Sequence, residues 1–186
     1  MNVVQPIRDP AIIEGIKYYL KMRSMRDFLL FCFGIYSGLR VSDLLTLRVW
    51  MVRGTHVKTK EKKNAHDKLF IVHPGIRKDL DSYIADMADD YFLFQSRQTK
   101  KKIPMKKQPI DRSTAYRMLN KTAKHFGLKE IGCHTLRKTW AYQLYKQDPK
   151  NLALLMKMFG HRDPAYTLDN IRVTQDMMDA AIAQLP

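Results

Sequence analysis

Nine consecutive residues, Phe28-Leu29-Leu30-Phe31-Cys32-Phe33-Gly34-Ile35-Tyr36, carry no charge. A helix through this run is apolar on nearly every face. It has no side to give to water and must lie central and buried, with the rest of the chain wrapped around it. Ser24 stands before it as an N-cap, with Asp27 in the first turn, and Gly38 ends it. The run is the longest apolar stretch in the chain and is far too short to span a bilayer, which takes about 20 such residues. No signal-peptide pattern opens the chain.

The segments around this helix are amphipathic. Asp9-Pro10 reads as an N-cap followed by proline in the first helical turn, and Ile12, Ile13, Ile16 and Leu20 give one apolar face. Ser42-Asp43-Leu44-Leu45 starts a short helix just after Arg40. From about Leu47 the pattern changes. Gly54-Thr55 marks a turn, and His56 to Thr59 and Lys68 to Val72 read as two strands of a hairpin around Lys60-Glu61-Lys62-Lys63-Asn64. Ile76, Leu80, Ile84 and Met87 mark a further helix. Asp111 caps another, with Ala115, Met118, Leu119 and Thr122 inward and Gly127 at its close. Two helices follow His134 and Pro149, the second ending at Gly160-His161. A short element covers Pro164 to Ile171, and a terminal helix is capped by Thr174. With no repeat and no linker, residues 1–186 read as one domain, mostly α with a small antiparallel β-sheet of two or three strands, an α+β fold.

Charge narrows the function. Lys and Arg number 33 against 18 Asp and Glu, a net charge of +15. Such an excess repels itself and suits a polyanionic partner, with nucleic acid first and an anionic membrane surface a poor second. The stretch from Arg97 to Lys107 holds Arg97, Lys100, Lys101, Lys102, Lys106 and Lys107 without one acid. It reads as a solvated loop and as a DNA contact, and the two are compatible. Cys32 and Cys133 lack metal-ligand spacing and suit a reducing compartment, the cytoplasm or nucleoid.

Four basic stations stand out: Arg40 after a glycine turn, Lys60 in the hairpin, His134 with Arg137, and His161 after Gly160. His134 and Arg137, three residues apart at a helix start, share a face. That face carries a proton-shuttling imidazole beside a planar cation fitted to two phosphate oxygens.

In their order, these stations resemble the catalytic domain of the tyrosine recombinases, the phage integrase family. The resemblance rests on Ser37-Gly38-Leu39-Arg40-Val41-Ser42-Asp43-Leu44, the basic hairpin, His134-Thr135-Leu136-Arg137 and Phe159-Gly160-His161, and it covers almost the whole chain. It implies a site-specific recombinase that breaks and rejoins double-stranded DNA through a 3′-phosphotyrosine, with no metal or other cofactor and no membrane. Arg40 and Arg137 would clamp the non-bridging oxygens, and Lys60 would protonate the leaving 5′ oxygen. His134 would handle the proton of the nucleophile, and His161 would hydrogen-bond the phosphate. Lys58, Lys62 and Lys63 stand near Lys60, and strand register decides which lysine is presented. With Lys100, Lys101 and Lys102 they are the candidate DNA contacts. A homo-oligomer on DNA, joined through the C-terminal helix, is a further implication, as is a setting in phage or another mobile element.

Two departures matter. The family's nucleophilic tyrosine falls nine residues after His161, and residue 170 is asparagine. An amide lacks both the acidic hydroxyl and the nucleophilicity that a covalent intermediate needs. Tyr166 lies four residues earlier, about one helical turn or some 6 Å away, and is either a packed aromatic or a displaced nucleophile. Members of the family usually carry a separate N-terminal DNA-binding domain that closes a clamp on the duplex, whereas this chain begins almost at the catalytic domain, as expected of a short stand-alone member or of a fragment. The competing functions are an active recombinase, a catalytically inactive DNA-binding accessory module on the same fold, and a generic basic nucleic-acid binder. The motif order predicts one basic pocket faced by Arg40, Lys60, His134, Arg137 and His161, with Asn170 or Tyr166 at its rim.

Overall fold

The Asp9 carboxylate accepts the Ala11 N–H at 2.8 Å and starts α1 (Pro10–Lys21). Ser24 accepts the Asp27 N–H at 3.4 Å and starts α2 (Met25–Ser37). These helices belong to a computed structural model that describes residues 4–60, 67–96, 108–171 and 182–183. α2 begins three residues ahead of its apolar run because the cap, not hydrophobicity, sets a helix start. Every residue from Phe28 to Ile35 is buried. α1 lays Ile13, Ile16 and Leu20 against it, while Ile12 is only partly covered.

Two short helices, α3 (Val41–Leu44) and α4 (Val49–Val52), carry the chain to a hairpin. α4 had no counterpart in the sequence reading. It forms because Val49 and Val52 both reach the core. The strands are β1 (His56–Lys60) and β2 (Asp67–Ile71), antiparallel, with His56 opposite Ile71 and Lys60 opposite Asp67. Among the described residues the sheet has these two strands, and its ladder runs one residue further toward the tip than expected. Lys60 therefore belongs to β1 rather than to the turn. Val57 and Thr59 point inward and are buried, which places Lys58 and Lys60 on the outward face. Lys62, Lys63, Lys100, Lys101, Lys102, the rest of the Arg97 to Lys107 stretch and the helix expected from Thr174 lie outside the described residues.

Beyond the hairpin, α5 (Pro74–Ile84) buries Ile76, Leu80 and Ile84. Single bridges between Arg48 and Phe92 and between Gln95 and Pro109 then hold the connecting segment, with Leu93 and Phe94 buried. α6 (Arg112–His125) is capped by Asp111, whose carboxylate accepts the Thr114 N–H at 2.6 Å. Its inward face is Ala115, Leu119, Thr122 and Ala123. No helix of the described residues is long and apolar enough to cross a membrane.

α7 (Thr135–Gln147) joins two hydrophobic clusters. Leu136 belongs to the main core around α2. Trp140, Ala141 and Tyr142 belong to a second cluster with Leu155 and Phe159 of α8 (Leu152–Phe159) and Ile171 of α9 (Pro164–Ile171). The N-terminal segment straps α7 down. The Ile7 N–H donates to Thr139 Oγ1 at 2.8 Å, and Gln143 Nε2 donates to the carbonyls of Ile7 and Arg8 at 3.2 and 3.0 Å.

α7 lies on α2 where two glycines one turn apart remove the obstacle. A Cβ on Gly34 would stand 2.4 Å from Leu136 Cδ1, and one on Gly38 would stand 2.4 Å from Trp140 Cε3. Gly38 also adopts φ +64°, the left-handed conformation that ends α2 and turns the chain toward Arg40. Gly38→Ala should therefore lose about 1–3 kcal/mol by overpacking and about 1–2 kcal/mol more in backbone strain. Gly34→Ala should show the packing loss less the roughly 0.5–1 kcal/mol that alanine gains over glycine inside a helix, and Gly127→Ala, with φ +67° and nothing within 4 Å, only the strain. Urea unfolding midpoints of the three variants check this order.

Candidate functional site

Arg40 is set by its neighbours on the chain. Leu39 and Val41 are buried on either side of it, and it forms the extended N-cap of α3 at φ −67° and ψ 147°. Asp43, only 1% exposed, places Oδ2 4.0 Å from Arg40 Nη1. A carboxylate this deep holds the guanidinium in place and offsets the cost of gathering cations beside it.

Arg137 sits in the first turn of α7 and is 7% exposed. Its guanidinium carbon lies 4.6 Å from the centre of the Phe159 ring. The same ring stacks with His161, centroids 5.0 Å apart at 20°, and meets the edge of Trp140 at 5.6 Å. Phe159 is thus a shared platform, and the cation–π contact partly replaces the water that Arg137 gave up. α8 ends at Gly160, which swings His161 back over the ring. The His161 Nδ1 lies 3.0 Å from the buried Thr167 Oγ1 of α9, leaving Nε2 to meet a ligand.

His134 is the N-cap of α7 and makes no capping bond with its side chain. The turn before it is fixed by the Thr135 hydroxyl, which accepts the Gly132 N–H at 3.0 Å. His134, Arg40, Ser42, Asp43, Cys133 and Arg112, the first residue of α6, line a cavity of about 420 Å³. Burial pushes the His134 pKa below its ordinary value, and the positive charges of Arg112, Arg137, Arg40 and Lys138 add to the shift. His161 is lowered by burial first and then by Arg137 and Arg40. Both imidazoles are therefore neutral at pH 7, able to accept a proton, beside two guanidiniums that cannot give one up.

The structure brings Arg40, His134, Arg137 and His161 together. Lys60 it holds on the outward face of the ladder, 75% exposed, with Nζ 4.0 Å from Asp67 Oδ1. Lys58 is exposed on the same face. Lys68, opposite Thr59, donates instead to the Met158 carbonyl of α8. Tyr166 is 65% exposed, with its ring centroid 6.3 Å from that of His161, and position 170 follows one turn later in α9. The sequence reading passed over Arg112, Lys68, Asp43 as a holder of Arg40, and Phe159 as a platform. The last two lay inside the quoted motifs, but Arg112 and Lys68 carry no local signal. Among the described residues no group of three or more His, Cys, Asp or Glu could hold a metal ion.

A histidine with a depressed folded-state pKa binds fewer protons in the folded chain than in the unfolded one. The stability it contributes is complete above the ordinary value of about 6.5 and is lost as pH falls through the lowered value. Thermal unfolding of the free protein should show this acid limb. It should shrink in the His134→Gln/His161→Gln variant, leaving the share of His73, which is lowered by burial and by Lys17.

A model of the phage integrase family matches residues 9–175. The probable integrase/recombinase YoeC of Bacillus subtilis is 38% identical over 182 residues, covering 97% of this chain and 96% of that protein. A tyrosine recombinase of Pseudothermotoga lettingae is 30% identical over 197 residues, covering 96% of this chain and 65% of that one. The crystal structure of XerA recombinase matches with a TM-score of 0.75 at 20% identity, covering 97% of this chain and 63% of that one. The XerH site-specific recombinase bound to its palindromic difH substrate, in a post-cleavage complex, matches with a TM-score of 0.70 at 15% identity, covering 98% of this chain and 54% of that one. The chain spans nearly all of YoeC and less than two thirds of the other three. It belongs to the phage integrase family, as a tyrosine recombinase catalytic domain.

Proposed function

We propose that the chain binds double-stranded DNA and seats one backbone phosphate against Arg40, Arg137, His134 and His161, and that as written it lacks the nucleophile to cleave there. The observation that carries this reading is the meeting of two fixed guanidiniums and two neutral imidazoles at one place. That is a receptor for an anion with several oxygens. Support for DNA as the partner comes from the +15 charge and from structural neighbours described as DNA-bound, among them XerH on difH and a lambda integrase tetramer on a Holliday junction.

In the complete reaction a tyrosine oxygen attacks phosphorus, the bond to the 5′ oxygen breaks, and the 3′ phosphate is left on the enzyme. His134 takes the phenolic proton, the two arginines meet the charge that grows on the non-bridging oxygens, and His161 donates from Nε2. A hairpin lysine, Lys60 in this reading, returns a proton to the 5′ oxygen. Such chemistry needs an oxygen nucleophile in line with the leaving group, and Asn170 supplies none. The protein then serves as a DNA-binding accessory in the cytoplasm, on the nucleoid, with further copies joined through the C-terminal helix. The second reading gives the nucleophile to Tyr166, and its exposed ring beside His161 favours it.

Duplex binding should weaken steeply with salt, adding about 0.9 to the slope of log K against log salt for each phosphate neutralised. Affinity that ignores salt overturns the DNA reading. A nicked suicide duplex should give no covalent adduct with the unsubstituted protein and an adduct with Asn170→Tyr. An adduct from the unsubstituted protein that vanishes in Tyr166→Phe selects the second reading. Intact DNA binding without an adduct from Asn170→Tyr would mean that the pocket lacks more than its nucleophile.

A further inference from the structure

Arg112 enters the cavity from a different element than the other cations. α6 supplies it, across from α3 and the α7 turn that supply Arg40, Asp43 and His134. Its position is well anchored. Asp111 caps the helix at Thr114, the Ile110 N–H donates to the Phe94 carbonyl at 2.8 Å, and Ala115 is buried just inside. Several other arginines are neutralised locally: Arg26 by Asp27, Arg53 by Asp89 and Arg77 by Asp81. Arg112 has no such pair among the described residues. Lys138, the other cation acting on His134, is directed elsewhere, with Nζ donating to the Val4 carbonyl at 3.0 Å.

We propose that Arg112 is a further phosphate-binding residue, holding the backbone phosphate next to the one seated between Arg40 and Arg137, so that Arg112 and that pair grip two consecutive phosphates of one strand. This rests on the DNA reading above. An arginine suits the role because its planar fork meets two phosphate oxygens at once and keeps its charge at any working pH. A second grip fixes the direction of the strand across the pocket as well as its position, and it carries no base information. The same guanidinium acts on His134, so the residue that places the neighbouring phosphate also helps to keep that imidazole neutral until an anion arrives.

The test uses the full chain and a fluorescein-labelled duplex of mixed sequence, with anisotropy read over a salt series. Arg112→Gln should lower the log–log salt slope by about 0.9 and weaken binding to unrelated duplexes alike, and Arg112→Lys should restore the slope. In parallel, NMR titration of the free protein should show the His134 pKa rising in Arg112→Gln, with Arg40, Arg137, Lys138 and the Asp43 carboxylate still in place around it. A merely structural role for Arg112 would move neither the slope nor its rescue by lysine. An unchanged slope in Arg112→Gln, with the unsubstituted chain binding DNA normally, overturns the assignment of Arg112 alone. An unsubstituted chain that does not bind duplex overturns the DNA reading itself, whatever His134 does.

Discussion

Two missing side chains on α2 allow the site to exist. Helices packed through ordinary residues keep their axes about 8–10 Å apart, and a methyl group at Gly34 or Gly38 would lie 2.4 Å from an atom of α7. Because both positions are bare, Leu136 and Trp140 sit directly on the α2 backbone. Arg137 lies between them in sequence, and Arg40 follows Gly38 by two residues, so one close contact sets the spacing of both guanidiniums. Bringing two such cations together costs Coulomb energy, and the buried Asp43 and the Phe159 ring are placed where they offset it.

Much of this was legible in the sequence because it is local. The caps at Asp9, Ser24 and Asp111, the stop at Gly38 and the all-apolar α2 each depend on residues a few positions apart. The basic stations were legible as motifs. What escaped depends on long-range placement. Arg112 is an unremarkable arginine at a helix start until α6 is set opposite α3. Lys68 looks like one more hairpin lysine until the ladder register turns it toward Met158 and turns Lys58 and Lys60 outward. A shift of one residue in the tip exchanges the faces of every lysine on that strand.

The second core depends on an aromatic in an unusual office. Phe159 is buried like any core residue, yet it carries a cation and an imidazole on its ring and a tryptophan edge at its side. Replacing it would leave a cavity and also leave Arg137 desolvated without its π-face. The tie from Lys68 to the end of α8 places the hairpin on the same structural unit, so the lysine-bearing sheet and His161 answer to the same helix terminus.

The two thiols differ in a way useful at the bench. Cys32 is sealed inside α2, and burial pushes its pKa up to about 12, so it stays protonated and inert in neutral buffer. Cys133 is half-buried and lines the cavity beside His134. A maleimide dye or spin label therefore has one accessible address, in the cavity that Arg40, Arg112 and His134 also line. The chain carries its own attachment point for a reporter, with no cysteine to remove and none to introduce.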